Sequence, residues 1–155
     1  MLRGITAALV FSASAAAPAA AEVHTATWLG GNGGWFDASR WSTGVTPFNT
    51  ATDQYDVIID GGNPVSSSVL LGDSITVNSL ALDGGLTIDA FDSFTALNGI
   101  TLNNGGITMR ADADVRVGLN GTITGSGGIF SYFGFNGGTV AADGGSLTLG
   151  SGVPL

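Results

Sequence analysis

The sequence predicts an all-β protein: a parallel β-helix, that is, a solenoid, with an N-terminal aromatic cap. Glycine supplies 26 of the 155 residues, against a usual share of about 7%, and this favours a fold with many turns. The chain has one Glu, one Gln and no Lys, so the residues that normally cover helix surfaces are scarce. A glycine pair flanked by alternating apolar residues recurs after 17 to 22 residues, a spacing that suits one three-stranded coil of a β-helix.

Residues 1–21 have the features of a secretory signal peptide. Arg3 provides a positive start, residues 5–17 form an apolar run, and Ala19-Ala20-Ala21 supplies the small residues that signal peptidase requires. The run is shorter than the roughly 20 residues needed to span a bilayer. We therefore expect cleavage near Ala21 and a protein that is secreted, extracellular or held at the outer cell surface.

The mature chain is acidic and has no second apolar stretch that approaches about 18 residues. Twelve Asp and Glu against three Arg give it a net charge of −9. This charge disfavours nucleic acid and anionic lipid as partners, and we expect no transmembrane segment after the signal peptide. The chain has no Cys, so apolar burial and backbone hydrogen bonds must stabilise the fold without disulfides.

Residues 22–60 are predicted to form a Trp/Gly-rich N-terminal cap. All three tryptophans, Trp28, Trp35 and Trp41, lie in a short glycine-rich stretch of this segment. The open end of a stacked solenoid exposes apolar core and unpaired strand edges, so such an end needs a cap. Asp37 is placed to accept hydrogen bonds from the next backbone N–H groups, and Pro47 closes the stretch. The predicted cap residues are Trp28, Trp35, Asp37, Trp41 and Pro47.

Residues 61–155 are predicted to be glycine-punctuated β-helix repeats. The glycine pairs at 84–85, 105–106, 127–128 and 144–145 are bordered by alternating apolar and polar residues, a pattern typical of short strands with one buried face. Threonines between apolar neighbours are expected to face outward. An ice-binding surface is an alternative for such rows, although regular Thr-x-Thr pairs are missing. Because the pattern continues to the end of the sequence, we expect further repeats or a partner to cover the C-terminal coil.

The tryptophan-rich stretch has the pattern Trp28-x-Gly30-Gly31-x-Gly33-x-Trp35-x-Asp37-x-Ser39-x-Trp41-Ser42-x-Gly44-x-x-Pro47. It resembles the N-terminal part of secreted bacterial β-helix repeat proteins, the autotransporter-adhesin-like and PEP-CTERM-associated surface proteins. In those families a signal peptide and a similar tryptophan pattern precede glycine-punctuated strands. The resemblance implies export to the cell surface or matrix and a structural or adhesive role, with no catalytic residues to transfer.

The densest charged stretch is at residues 110–117. If these residues form one strand, one face of it carries Arg110, Asp112, Asp114 and Arg116. We interpret them as a solvated charge ladder. The alternative is a carbohydrate-active β-helix enzyme using Asp112 and Asp114, because glycoside hydrolysis employs two carboxylates about 5–9 Å apart. We assign no catalytic residue, since tight glycine turns leave little room for the cleft that an enzyme requires.

Aromatic residues interrupt the alternation at the end of the body, at Phe130, Tyr132, Phe133 and Phe135. Because rings fall on both faces, we expect at least one to be exposed and able to contact a glycan or a protein. With the charged stretch, they form the predicted ligand-contact face. A small glycan-binding module is a second alternative, and it requires these rings or the tryptophan stretch to line a groove.

We expect no cofactor and no metal site. Zinc requires several Cys or His ligands, and the chain has one His and no Cys. The aspartates do not follow the EF-hand spacing, and Trp35 takes the aspartate position of a calcium nonapeptide-like stretch. Calcium stays an alternative because Asp is abundant. The predicted function is a secreted or cell-surface, adhesin-like structural protein that presents a repetitive β-helix surface to extracellular polysaccharide, a cell-surface protein or other cells.

Overall fold

The structure of the protein is a computed structural model that describes residues 20–59, 67–131, 139–142, 144, 146 and 148–153. The predicted signal peptide therefore lies outside the described residues, apart from its last two positions. In the part of the chain that the structure describes, none of the helices has the length and apolar character needed to cross a membrane.

The described residues form short strands and one 3₁₀ turn, Ala38–Arg40. The strands, in chain order, are β1 (Glu22–Thr27), β2 (Asn32–Gly34), β3 (Asp53–Ile59), β4 (Ser68–Leu71), β5 (Ile75–Val77), β6 (Ser79–Leu82), β7 (Gly85–Ile88), β8 (Ser93–Ala96), β9 (Ile100–Leu102), β10 (Gly106–Met109), β11 (Asp114–Val117), β12 (Thr122–Gly125), β13 (Gly128–Ser131), β14 (Thr139–Ala142) and β15 (Thr148–Leu149).

These strands build three parallel sheets. Sheet 1 has the order β1-β3-β6-β9-β12-β15, sheet 2 the order β2-β4-β7-β10-β13, and sheet 3 the order β5-β8-β11-β14. Strands that follow one another along the chain, such as β6, β7 and β8, enter successive sheets, and β9 then returns to pair with β6 in parallel. The predicted all-β, parallel β-helix fold is confirmed. Because β1 and β3 belong to sheet 1 and β2 to sheet 2, the ladder already includes all three described strands of the segment 22–60, which the sequence predicts as the cap.

The core consists of apolar side chains stacked in register from one turn to the next. In sheet 1, Val57 pairs with Leu80, Leu80 with Ile100, and Ile100 with Ile123. All four are buried, as the alternating pattern predicts for inward positions. Equivalent rows run through the other two sheets, with Val69, Leu86, Ile107 and Ile129 in sheet 2 and Ile75, Phe94, Val115 and Val140 in sheet 3.

The glycine pairs stack at the corner between sheets 1 and 2. The backbone N–H of Gly106 donates to the carbonyl of Gly84 at 3.0 Å, and that of Gly85 donates to the carbonyl of Ser67 at 2.7 Å. A Cβ added to Gly105 would press against the backbone of Gly84 in the previous turn. Gly105 therefore has no room for a side chain, because successive turns approach closely there.

A polar ladder lies at the corner between sheets 3 and 1. The side-chain amide of Asn98 donates to Asn78 Oδ1 at 2.7 Å, and that of Asn78 donates to Asp56 Oδ1 at 2.6 Å. Asn78 is buried, and its neighbours in the adjacent turns satisfy its side chain. This ladder therefore fixes the register of three turns by hydrogen bonds where the apolar rows end.

The three tryptophans lie at the first turn, against the end of the apolar core. Trp28, Trp35 and Trp41 are at most 2% exposed. The ring centroid of Trp35 is 4.8 Å from that of Trp41 and 5.7 Å from that of Phe94, while the Trp28 and Trp41 centroids are 5.0 Å apart. Because the rings contact one another and Phe94 of β8, they form part of the buried core at the first turn.

The tryptophan stretch satisfies its own polar groups. The indole N–H groups of Trp28, Trp35 and Trp41 donate to the backbone carbonyls of Gly31, Pro47 and Trp35, at 2.9, 3.0 and 2.7 Å respectively. Asp37 is the N-cap of the 3₁₀ turn, and its side chain accepts a hydrogen bond from the backbone N–H of Ser39. The ring of each tryptophan is thus buried without an unpaired donor, which a cap of this kind requires.

Candidate functional site

An exposed groove lies beside the tryptophan stretch, between residues 36–49 and the start of β5. It has a volume of about 360 Å³, and Phe36, Phe48 and Asn49 line it together with residues 73–76. The two sides are joined by a hydrogen bond from the backbone N–H of Asn49 to the carbonyl of Thr76, at 2.7 Å. A backbone hydrogen bond therefore fixes the position of Asn49 relative to β5 at this groove.

Two partly exposed phenylalanine side chains make the lining of this groove apolar. Phe36 is 47% exposed and Phe48 is 46% exposed, so each ring is anchored on one side and open on the other. The neighbouring Trp35 is fully buried. The tryptophan stretch therefore does line a groove, as the glycan-binding alternative requires, but through its phenylalanines and not through its tryptophans. Sequence reasoning missed Phe36 and Phe48, because only contact with residues 73–76, about thirty positions away, makes them part of a groove.

Asn49 lines the groove and also supports the chain behind it. Its Oδ1 accepts the backbone N–H of Tyr55 at 2.9 Å, which fixes the orientation of the amide. The Nδ2 of the same side chain is buried and has no hydrogen-bond partner among the described residues. Because this nitrogen is closed off from solvent, it does not offer a donor to a molecule in the open groove.

The charged stretch at residues 110–117 does not form one strand, contrary to the sequence prediction. β10 ends at Met109 and β11 begins at Asp114. Between them the chain turns, and Asp112 has a positive φ of 55°, which interrupts the alternation of an extended strand. The predicted common face of four charged side chains is therefore wrong, and only Asp114 and Arg116 share a strand.

Both arginines around this corner form ion pairs with nearby carboxylates. Arg110 donates to Asp89 Oδ1 at 3.1 Å, and Arg116 donates to Asp114 Oδ2 at 2.9 Å. The hydrogen bond from Arg116 holds the pKa of Asp114 below its usual value, against partial burial and with help from the backbone N–H of Thr139. The backbone N–H of Ala90, followed by Arg110, likewise lowers the pKa of Asp89.

One carboxyl near this corner shifts in the opposite direction. Burial raises the pKa of Asp92, and the negative charges of Asp73 and Asp89 add to the effect. The raised pKa of Asp92 therefore follows first from burial and second from the neighbouring acids on the same corner of the solenoid. Within the described residues, no group of three or more His, Asp or Glu side chains is arranged to hold a metal ion.

Of the four aromatic residues in the predicted contact face, the structure describes one, Phe130. Phe130 lies on β13, at the end of the described part of sheet 2, and is 55% exposed. Its ring lies close to Gly128 and Gly106, the outward positions beside it. The other predicted contact residues, Tyr132, Phe133 and Phe135, lie outside the described residues.

The candidate site with a defined geometry is thus the groove of Phe36, Phe48 and Asn49. Comparison of the chain with protein families, with curated proteins and with solved structures finds no match.

Proposed function

We propose that the chain is exported and acts as a structural, adhesin-like protein that presents a repetitive β-helix surface to polysaccharide or to other cells. The observation that carries the proposal is the register of the outward positions. In sheet 1, Ala81 pairs with Thr101 and Thr101 with Thr124. Parallel strands lie about 4.8 Å apart, so short, uncharged side chains repeat along the solenoid at that interval. A repeated surface of this kind suits a repeated partner, such as a polymer.

The signal peptide features and the tryptophan pattern support the same proposal. The pattern from Trp28 to Pro47 resembles autotransporter-adhesin-like and PEP-CTERM-associated surface proteins, in which β-helices are exposed at the cell surface. The net charge of −9 that remains after cleavage at Ala21 disfavours nucleic acid. A passive surface role fits a chain whose described corners are closed by short turns.

A small glycan-binding module is the second candidate, and the groove of Phe36 and Phe48 favours it. The third alternative, a polysaccharide-cleaving enzyme, used Asp112 and Asp114 as a carboxylate pair on one strand face. That geometry is not present, since Asp112 lies in the turn before β11 and Asp114 is hydrogen-bonded to Arg116.

Export is tested by expressing the full chain from Met1 in a Gram-negative bacterial host and sequencing the N-terminus of the recovered protein. We expect protein outside the cytoplasm to begin at Glu22. Ala21→Phe should block cleavage, because signal peptidase requires a small residue there. Ala15→Phe, inside the apolar run, should be cleaved normally. Wild-type protein that stays in the cytoplasm with residues 1–21 attached would contradict the proposal.

The adhesive role is tested on the same exported protein by sedimentation with suspended cellulose, chitin or intact bacterial cells. We expect a fraction of the protein to sediment with at least one of these, and to be released by soluble polysaccharide of the same kind. Exported protein that remains in the supernatant with every suspension would contradict an adhesive role.

A further inference from the structure

The groove beside the tryptophan stretch combines apolar and polar features in a way that points to a ligand class. The half-exposed side chains of Phe36 and Phe48 offer apolar surface. Asp73 adds a carboxylate, which accepts hydrogen bonds, to the lining. Apolar surface beside a hydrogen-bond acceptor suits a molecule that has apolar C–H faces and hydroxyl edges.

The charges of the protein and of the groove lining further restrict the class of ligand. The mature chain carries a net charge of −9, and the described lining of the groove includes Asp73 but no Lys or Arg. An anionic ligand would meet repulsion both from this carboxylate and from the rest of the protein. A neutral ligand avoids this cost and can still donate a hydroxyl hydrogen to Asp73.

We propose that this groove is a binding site for a neutral saccharide unit of an extracellular polysaccharide. A pyranose ring stacks its C–H face on Phe36 or Phe48, and one of its hydroxyl groups donates a hydrogen bond to the Asp73 carboxylate. The inference rests on the proposed function, in that it assigns the polysaccharide contact to named residues. A volume of about 360 Å³ is near the lower end of small-molecule sites, so the groove holds one or two sugar units of a chain.

The test is titration of the purified exported protein with cellopentaose, laminaripentaose, chitopentaose and mannopentaose, followed by calorimetry and by saturation-transfer NMR. We expect at least one of these neutral probes to bind with a Kd of about 1 mM or tighter. Phe36→Ala and Phe48→Ala should each weaken binding by roughly fivefold to tenfold, since each removes apolar area that the sugar covers. Tetragalacturonate, an anionic probe, should bind more weakly than the neutral one.

Two exposed phenylalanines outside the groove serve as matched controls. Phe91 is 77% exposed at the same corner, one turn further along and outside the groove lining, and Phe130 is 55% exposed on sheet 2. Phe91→Ala and Phe130→Ala should leave the affinity within twofold of the wild type, and all four variants should keep the wild-type circular dichroism spectrum.

Three results would overturn the assignment: no neutral probe binds, the groove variants bind as the wild type does, or only Phe130→Ala weakens binding. Tighter binding of tetragalacturonate than of every neutral probe would overturn the choice of a neutral ligand. The titration uses purified protein, so it separates the two proposals. If export fails but the purified protein still binds the saccharide, the proposed function is contradicted and the groove assignment is not. If the Phe36→Ala protein still sediments with the polysaccharide, adhesion takes place elsewhere on the surface.

Discussion

Gly105→Ala is expected to lower the free energy of unfolding by about 3 kcal/mol or more. A Cβ at this position would lie 2.9 Å from the backbone nitrogen of Gly84 and still closer to its carbonyl oxygen. Both atoms belong to the backbone of the previous turn, so no side chain can rotate away to relieve the overlap. The new methyl group must push two turns apart and weaken the hydrogen bond from Gly106 to Gly84, which is 3.0 Å long.

Urea unfolding followed by circular dichroism measures this effect. Gly72→Ala is the matched control, because a Cβ there meets no atom within 4 Å, and its stability should stay within about 0.5 kcal/mol of the wild type. Equal stability of Gly105→Ala and Gly72→Ala would mean that the turns do not stack closely at the glycine corner.

Trp35→Ala is expected to cost about 4 kcal/mol of stability, the usual loss when a large buried aromatic is removed. Trp35 is fully buried and contacts the rings of Trp41 and Phe94. Its indole N–H also donates to the carbonyl of Pro47 at 3.0 Å. Removing the ring opens a cavity at the end of the core and leaves that carbonyl without its partner.

Thermal and urea unfolding of the full mature chain measure the loss. The adjacent Phe36→Ala is the control, since its ring is 47% exposed, and we expect its stability to change by less than about 1 kcal/mol. Trp35→Phe should fall between Trp35→Ala and the wild type, because it keeps part of the ring contact. If Trp35→Ala and Phe36→Ala are equally stable, the tryptophans do not close the core.

The backbone of the solenoid was predictable because its determinants repeat. Glycine pairs at a spacing near 21 residues and apolar residues at alternate positions leave few ways to bury one face of every strand. The burial of the tryptophans was predictable because the open end of a stack must be covered by large apolar groups, and their role as a cap stays a prediction. These inferences depend on pattern and composition, which the sequence contains directly.

The charged corner was not predictable from alternation. Residues 110–117 alternate charged and small apolar side chains whether or not the backbone is extended, so the pattern does not reveal the turn. The positive φ of Asp112 is set by the geometry that joins sheet 2 to sheet 3. The groove was hidden for a different reason: Phe36 and Phe48 gain their role from β5, and that contact depends on how the first two turns stack.

The central claim is that residues about one turn apart lie side by side in parallel register. Both the repeated surface and the groove depend on this register. The chain has no Cys, so an introduced pair reports one contact without background. Thr101 and Thr124 are exposed register partners on β9 and β12. The most direct measurement is disulfide formation in the double variant Thr101→Cys/Thr124→Cys under mild oxidation, detected by peptide mass spectrometry.

The control pair is Thr101→Cys/Thr108→Cys, which an antiparallel hairpin around Asn104 and Gly105 would bring together but which lies on two different sheets here. The account predicts rapid, nearly complete disulfide formation between positions 101 and 124, because neighbouring parallel strands hold their Cα atoms within disulfide range. It predicts little between positions 101 and 108. Efficient crosslinking of 101 to 108, with none between 101 and 124, would contradict the parallel solenoid.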